Sequence, residues 1–441
     1  MSQSKALQSM EDLIRQRTAK ICVVGLGYVG LPLALAFDEA GYPVYGFDTN
    51  DRKVRTLDDG YDPTDEVGDT TVTACDIEFS PNPSVIGNAD VVIVAVPTPL
   101  NDAKQPNLDF VEEAGQMIGV YLREGTTVVL ESTVYPGATR ELFVPAIEHA
   151  SGMTAGEAFG VGYSPERVVP GEGGKDLSEA VKIVSAMTTE TREQLARLYE
   201  SVVDVGVHPA PSLEVAEAAK CIENTQRDIN IALVNEVAIA CERIGVDTQD
   251  VLTAAGTKWN FHEYEPGLVG GHCIPVDPFF FIYESEQNGF SPQLVQTARE
   301  VNEYVPTHVA DLTIKGLNDA GKVLKNSNVL ILGLAYKPNV GDMRSSAVEG
   351  VIAKLREYGM TIDAYDPHVD PLEAEEHCGI TVHEEPAFDG YDALVVATGH
   401  DAFAGMNLEL VIERMNEHPV LVDVDGIYDE RFPEDVVYIR L

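Results

Sequence analysis

The run Lys20-Ile21-Cys22-Val23-Val24 meets Gly25-Leu26-Gly27-Tyr28-Val29-Gly30, after which Leu33, Ala36, Phe37 and Ala40 keep helical spacing as far as Gly41. The order is strand, glycine turn, helix. Glycines at this spacing allow a tight turn, let a pyrophosphate approach the backbone, and let the helix lie close to the strand. A second apolar run, Pro43 to Phe47, ends in Asp48, about 20 residues past the glycines, where a carboxylate accepts from ribose hydroxyls. The expectation is a dinucleotide held on a helix N-terminus by Gly25, Gly27, Tyr28, Val29, Gly30 and Asp48. Asp48 favours NAD over NADP, although Arg52 nearby would tolerate a 2'-phosphate. An ordinary strand–helix turn would leave three glycines unexplained.

Further apolar strands at 90 to 96, 126 to 130 and 158 to 163 alternate with stretches of helical character, which predicts a parallel sheet with helices on both faces. Val96-Pro97-Thr98-Pro99 and Glu131-Ser132-Thr133-Val134-Tyr135-Pro136-Gly137 fall at strand ends, the edge where open parallel sheets bind ligands. Pro97, Thr98 and Thr133 therefore join the expected cofactor contacts, with plain loop chemistry as the alternative. From Ser212 to Ile244 there is no Gly or Pro; Ser212 can cap the start and Gly245 can close the end. One helix of about 48 Å is longer than a small domain needs, so it bridges domains or packs on a partner subunit. A less regular stretch, 256 to 278, precedes a second helical region at 292 to 319. Asn328 to Ala335 then repeats the opening theme: a strand, a glycine, and a following strand that ends at Asp366, with more strands at 393 to 397 and 420 to 424. The fold class is α/β, two doubly wound Rossmann-like domains joined by a central helical domain, divided at 1–211, 212–319 and 320–441. The third domain lacks the glycine triplet and should not hold a second dinucleotide in the same way.

Gly270-Gly271-His272-Cys273-Ile274-Pro275-Val276-Asp277-Pro278 puts one cysteine in a glycine-led turn with a carboxylate one helical turn on. Glycine lets backbone crowd a substrate carbon, and amide N–H groups with nearby cations lower a thiol pKa and favour the nucleophilic thiolate. A buried, inert cysteine in a proline-rich loop is the competing interpretation. Lys220 and Asn224, one turn apart on the long helix, share a face and can hold an oxyanion or a water; a solvated stripe is the plainer alternative. Ser164-Pro165-Glu166-Arg167 offers a carboxylate after a strand. Lys337 and Arg344, in Leu334 to Arg344, offer two cations suited to a diphosphate, with surface ion pairs as the alternative for each. His272 near Asp277 invites a metal, but two prolines in the loop and no partner pair argue against one.

Composition narrows the partners. The 441 residues carry 72 Asp and Glu against 30 Lys and Arg, a formal charge of -42 spread along the chain. Such self-repulsion is relieved by salt, since the Debye length falls to about 3 Å at 1 M, so a salt-requiring protein from a high-salt cytoplasm is expected. A nucleic acid or an anionic membrane surface needs a basic footprint this chain lacks. The six cysteines show no CxxC pair or disulfide-like spacing, which reads as reduced and intracellular. Residues 1 to 20 contain no apolar signal region, and no stretch of about 18 apolar residues follows, so the expectation is a cytoplasmic protein.

Taken in order, GLGYVGLPLA, ESTVYPG, EAAKCIENTQRDINIALVNE, GGHCIPVDP and LGLAYKPNVGDMRSS resemble the UDP-glucose/GDP-mannose dehydrogenase family of NAD-dependent nucleotide-sugar 6-dehydrogenases, over nearly the whole chain. The resemblance implies an NAD domain, a central dimerisation domain and a C-terminal domain that binds the UDP-sugar, in a homodimer or higher homo-oligomer. It also implies a four-electron oxidation of C6 that uses two NAD, through a thiohemiacetal and then a thioester on Cys273. By the same motifs Lys220 and Asn224 steady the oxyanion and order water, and Asp277 assists as base. Glu166 serves thioester hydrolysis, and Thr133 holds water or nicotinamide. Glu166, Lys220, Asn224, Gly270, Gly271, Lys337 and Arg344 line the UDP-sugar site. Thr257 to Phe261 followed by Pro266 to Cys273 looks most like the branch acting on UDP-N-acetylhexosamines, including the Vi-polysaccharide type. The UDP-glucose branch more often has Phe before the Gly pair and Ser where His272 stands, yet the acidic loop 262 to 265 departs from the first branch too, which keeps UDP-glucose as the second candidate. Two other classes remain: a non-catalytic dinucleotide-binding scaffold, and a two-electron hydroxyacid-type dehydrogenase that would leave Cys273 without a task.

Overall fold

The computed structural model describes residues 9–64, 66–167, 179–428 and 432–441. The chain forms two compact units: Met1–Glu223 with Phe279–Phe290, and Asn224–Pro278 with Ser291–Leu441.

The first unit is built on one sheet. Its strands are β1 (Ile21–Val24), β2 (Val44–Phe47), β3 (Glu78–Ser80), β4 (Val91–Val94), β5 (Thr127–Leu130), β6 (Gly160–Tyr163), β7 (Lys182–Ala186) and β8 (Val207–Pro209), in the order β3-β2-β1-β4-β5-β6-β7-β8. Residues in β1, β4 and β5 are buried on both faces, as a parallel sheet covered on two sides requires. The expectation of an all-parallel sheet needs one correction: β7 runs antiparallel to β6. A parallel return needs a crossover of about a dozen residues or more, usually helical, whereas antiparallel neighbours need none.

The second unit carries β9 (Asn328–Leu332), β10 (Thr361–Tyr365), β11 (Thr381–His383), β12 (Ala393–Val396), β13 (Val420–Asp423) and β14 (Val437–Arg440), all parallel, in the order β11-β10-β9-β12-β13-β14. Alternate residues feed opposite cores. Val329, Ile331, Val395 and Val422 join one cluster, while Leu330, Leu332, Leu394, Val396 and Leu421 join the other, which is the period-two signature of a strand between two layers. Each fully buried aliphatic side chain contributes about 1.5–3 kcal/mol.

One helix, Leu213–Ile244, runs from the first unit into the second, and Gln293–Asp319 supplies the second long helix. Between the Thr248–Gly256 helix and the one beginning at Asp277 lies the irregular stretch that holds the cysteine turn. It contains Trp259, the chain's sole tryptophan, which is 92% exposed. Among the described residues no helix is long and apolar enough to cross a membrane.

Candidate active site

In the first unit the glycine turn closes as the spacing demands. Gly25 has φ +93° and its N–H donates to Phe47 O at 2.8 Å. A Cβ there would lie 2.5 Å from Ala95 O, and one on Gly30 would lie 1.8 Å from Gly25 O, so larger residues are excluded at both positions. Around Gly27 a Cβ would meet nothing within 4 Å; that open space lies at the start of the Gly30–Glu39 helix, where an anion is favoured. Tyr28 is exposed and Val29 half-buried beside it. Asp48 is buried: its Oδ2 accepts from Leu26 N at 3.0 Å and from Lys53 Nζ at 2.7 Å, and its Oδ1 from Asn50 N at 2.9 Å. The carboxylate thus ties the turn to the next loop. Lys53, not the exposed Arg52, is the cation against it.

The two strand-end loops singled out in the sequence come together through Ser132. Its hydroxyl accepts from Val96 N at 2.9 Å and donates to Val96 O at 2.7 Å, which ties the loop of Pro97 and Thr98 to that of Thr133. Beneath them, buried Glu131 accepts from Lys182 Nζ at 2.9 Å and from the Tyr199 hydroxyl, while Lys182 also donates to Pro165 O at 3.1 Å. Both partners of such a buried pair must be present, because either alone would leave a desolvated charge. This set fixes the backbone next to Thr133 and next to Glu166. An open turn, amide groups at a helix start, an acidic residue at the end of β2 and hydroxyls at the ends of β4 and β5 together fit a dinucleotide.

Lys220 is not on a solvated stripe. Its side chain is 5% exposed and its Nζ stands 3.8 Å from Glu166 Oε2. The adjoining Arg167 pairs with Glu223 at 2.8 Å. Buried Glu217, one turn earlier on the helix, accepts from Gly137 N at 2.6 Å and Thr139 N at 2.9 Å, docking the helix onto the loop that contains Thr133. Burial pushes the Glu217 carboxyl up, against the lowering effect of these bonds.

In the second unit Cys273 is an exposed thiol, which removes the buried, inert interpretation. Its carbonyl accepts from Val276 N at 3.1 Å and Asp277 N at 2.9 Å, closing the turn. Asp277 is buried, and its Oδ2 accepts from Asn224 Nδ2 at 2.6 Å. Gly271, at φ +89°, donates to Ser345 O at 3.2 Å, and a Cβ on it would sit 2.8 Å from the Tyr336 ring. The glycine pair therefore exists to let the 336–345 loop close on the cysteine turn.

Arg344 is held within its own loop. Its Nε and Nη2 bond the two oxygens of Asp342 at 2.9 and 2.8 Å, and its N–H donates to Asp342 Oδ1 at 3.0 Å. His272 Nε2 stands 3.4 Å from Asp342 Oδ2. Burial raises the Asp342 carboxyl, but the Arg344 and His272 bonds outweigh it and hold the group well below the usual carboxylate range. Lys337 Nζ lies 5.9 Å from the Tyr336 ring centre. Asp425, past the end of β13, accepts from Gly399 N at 2.7 Å. Burial, helped by Asp423 and Glu265, pushes its pKa up to about 6. Among the described residues no group of three His, Cys, Asp or Glu side chains could hold a metal ion.

Sequence reasoning missed Lys53, Lys182, Tyr336 and the His272–Asp342 contact. Lys53 alone had a local signal, falling one to two turns past Asp48 in a helix that starts at Asp51.

Comparison with known proteins places this geometry. Residues 19–203 match the NAD-binding domain, 214–304 the central domain and 330–430 the UDP-binding domain of the UDP-glucose/GDP-mannose dehydrogenase family. The chain is 41% identical over 412 residues to a UDP-N-acetyl-D-glucosamine 6-dehydrogenase of Pseudomonas aeruginosa, covering 93% of this chain and 97% of that protein. It is 34% identical over 406 residues to a UDP-N-acetyl-D-mannosamine dehydrogenase of Methanococcus maripaludis, covering 89% of each. The solved structure of a UDP-D-ManNAc dehydrogenase from Pyrococcus horikoshii superposes with a TM-score of 0.86 at 28% identity, covering 96% of this chain and 98% of that one. With a cofactor turn, a cysteine turn and three matched domains on one chain, the protein belongs to the UDP-glucose/GDP-mannose dehydrogenase family and is an NAD-dependent UDP-sugar dehydrogenase.

Proposed function

We propose that the protein oxidises C6 of a UDP-N-acetylhexosamine from alcohol to carboxylate through a covalent intermediate on Cys273. The observation that carries this is the exposed thiol in a turn whose next carboxylate, Asp277, is buried against Asn224. Bound NAD supplies the acceptor for each of two hydrides. Asp277 takes the hydroxyl proton as the first C–H bond breaks, leaving an aldehyde. The Cys273 sulfur then adds to the carbonyl carbon; the π pair moves to oxygen, where the Lys220 ammonium and the Asn224 amide meet it, and protonation gives the thiohemiacetal. Loss of the second hydride and the hydroxyl proton leaves a thioester. Water, held by Thr133 and directed by Glu166, adds to that carbon, and the C–S bond breaks to return the thiol and release the uronate. Lys337 and Arg344 take the diphosphate, Gly270 and Gly271 the sugar, and Gly25, Gly27, Tyr28, Val29, Gly30, Asp48, Pro97 and Thr98 the NAD.

The N-acetylhexosamine assignment is supported by the two relatives above, each named for such a sugar. The same proposal includes the division at 1–211, 212–319 and 320–441, a homo-oligomer, and a cytoplasmic enzyme that needs high salt because of its charge of -42. An NADH assay over UDP-GlcNAc, UDP-ManNAc, UDP-GalNAc and UDP-glucose in molar KCl tests it. Two NADH per uronate from an N-acetylated sugar is expected. One NADH per sugar, or a wild-type yield of uronate from the Cys273→Ser variant, would overturn the covalent scheme; faster turnover of UDP-glucose would overturn the substrate.

A further inference from the structure

The cysteine turn is suspended between points on one helix face. Asn224 and Asn235 are about three helical turns apart, so both project toward the same side of Leu213–Ile244. Asn224 holds the far end of the turn through Asp277. Asn235, fully buried, holds the near end: its Oδ1 accepts from Gly267 N at 2.8 Å and its Nδ2 donates to Gly267 O at 3.1 Å. The amide pairs with one residue's backbone as a neighbouring strand would, satisfying both polar groups in a stretch with no regular structure of its own. The Asn235 side chain is itself fixed, since Nδ2 also donates to Asn302 Oδ1 at 2.9 Å. Asn302 in turn donates to Asp228 O at 3.0 Å and Asp228 Oδ1 at 2.8 Å, and Arg299 Nη1 donates to that same oxygen at 2.5 Å. Asp228, Arg299 and Asn302 are all buried. Another tie from this helix to the stretch, from Gln226 Nε2 to the Tyr264 hydroxyl at 3.2 Å, is exposed.

We infer that Asn235 is a positioning residue for Cys273, acting through Gly267 to hold the turn at the distance where sulfur meets the C6 aldehyde. The inference rests on the covalent scheme above. Asn235 is fully buried, with its amide spent on Gly267 and Asn302, so its loss should spare the first hydride transfer and spoil the capture that follows. The aldehyde then leaves before the C–S bond forms, and one NADH appears per sugar consumed rather than two.

The test is Asn235→Ala in the full chain in molar KCl. Readouts are NAD affinity, NADH per sugar, aldehyde trapped as a semicarbazone, and the rate of Cys273 alkylation by iodoacetamide followed by mass spectrometry. Uronate formation should fall about 100-fold, the scale a misplacement of about 1 Å produces, with trapped aldehyde rising and NAD affinity unchanged. Asn235→Asp, which keeps the acceptor for Gly267 N–H and loses both donors, should fall between wild type and Asn235→Ala. Asn302→Ala, which frees the Asn235 amide without touching the turn, should shift the NADH ratio in the same direction and serves if the first variant does not fold. A ratio of two with no trapped aldehyde in all three variants overturns the inference, as does an alkylation rate equal to wild type. Failure of the wild type itself to give uronate would instead strike the covalent scheme.

Discussion

Both sheets leave their first strand at a left-handed glycine, and both close that turn with a carboxylate from the end of the next strand. Gly25 donates to Phe47 O and Gly333, at φ +88°, to Tyr365 O at 2.9 Å. Asp48 takes Leu26 N–H, and Asp366 takes those of Leu334 and Ala335 at 2.7 and 3.0 Å. The two then diverge. The first turn enters its helix at Gly30, with open space over Gly27. In the second, residues 334–347 intervene before the helix at Val348. Thr398 closes over the glycine, its Cβ 2.6 Å from where one on Gly333 would be, and its hydroxyl donates to Ala335 O at 2.8 Å. Asp366 spends its remaining capacity on buried His400, at 3.1 Å, and on His368 N. One backbone device therefore serves two ends: left open it suits a cofactor, and filled it becomes the base of a loop that carries Lys337 and Arg344 and meets the cysteine turn. The motif does not decide the ligand; what stands in front of it does.

Paired substitutions test that contrast most severely. Gly25→Ala and Gly333→Ala carry the same strain and a comparable clash, so each should destabilise its own unit by several kcal/mol, about 3 or more. Only Gly25→Ala should also weaken NAD binding, by about 100-fold in a fluorescence titration; loss of NAD affinity in Gly333→Ala would break the comparison.

A smaller effect belongs to the ligand edge of the second sheet. Because the Asp425 pKa is raised to about 6 in the folded chain from about 3.9 unfolded, stability contributed by its neutral form is complete below about pH 4 and is lost as pH rises through about 6. Asp425→Asn keeps an acceptor for Gly399 N–H and cannot ionise. It should be more stable than wild type at pH 7 by about 2–3 kcal/mol and equal to it at pH 4. Chemical denaturation at the two pH values decides; a variant less stable at pH 7 contradicts the assignment.

The least disruptive change is Gly27→Ala, where a Cβ meets nothing in the protein. The melting temperature should hold within about 2 °C while NAD affinity falls about tenfold, the mark of a position reserved for a ligand. Unchanged affinity would mean that the open space is not the cradle.

How much of this could be read from sequence follows from the range of each interaction. The glycine turn, β1, β2, β4, β5 and the long helix are local patterns of spacing, and they stand where the sequence put them. Short strands such as Glu78–Ser80 and Val207–Pro209 have three residues, too few to show a period, and exist because a neighbour supplies their partners. The antiparallel pairing of β7 with β6 depends on which neighbour the strand meets, and no local periodicity marks that. Among the candidate residues, Cys273 and Asp277 stood out by their place in a glycine-led turn, and Lys220 and Asn224 by helical spacing. Lys182 with Glu131, and Asn235 with Gly267, are pairings across long stretches of chain, and only the completed fold brings them together.

Trp259 leaves the molecule with a reporter already installed. As the single indole, lying bare in the same irregular stretch as Cys273, it gives an emission spectrum that belongs to one known place. Anything that settles over that stretch, whether sugar nucleotide or another polypeptide, will move the band to shorter wavelength without a label or an added dye.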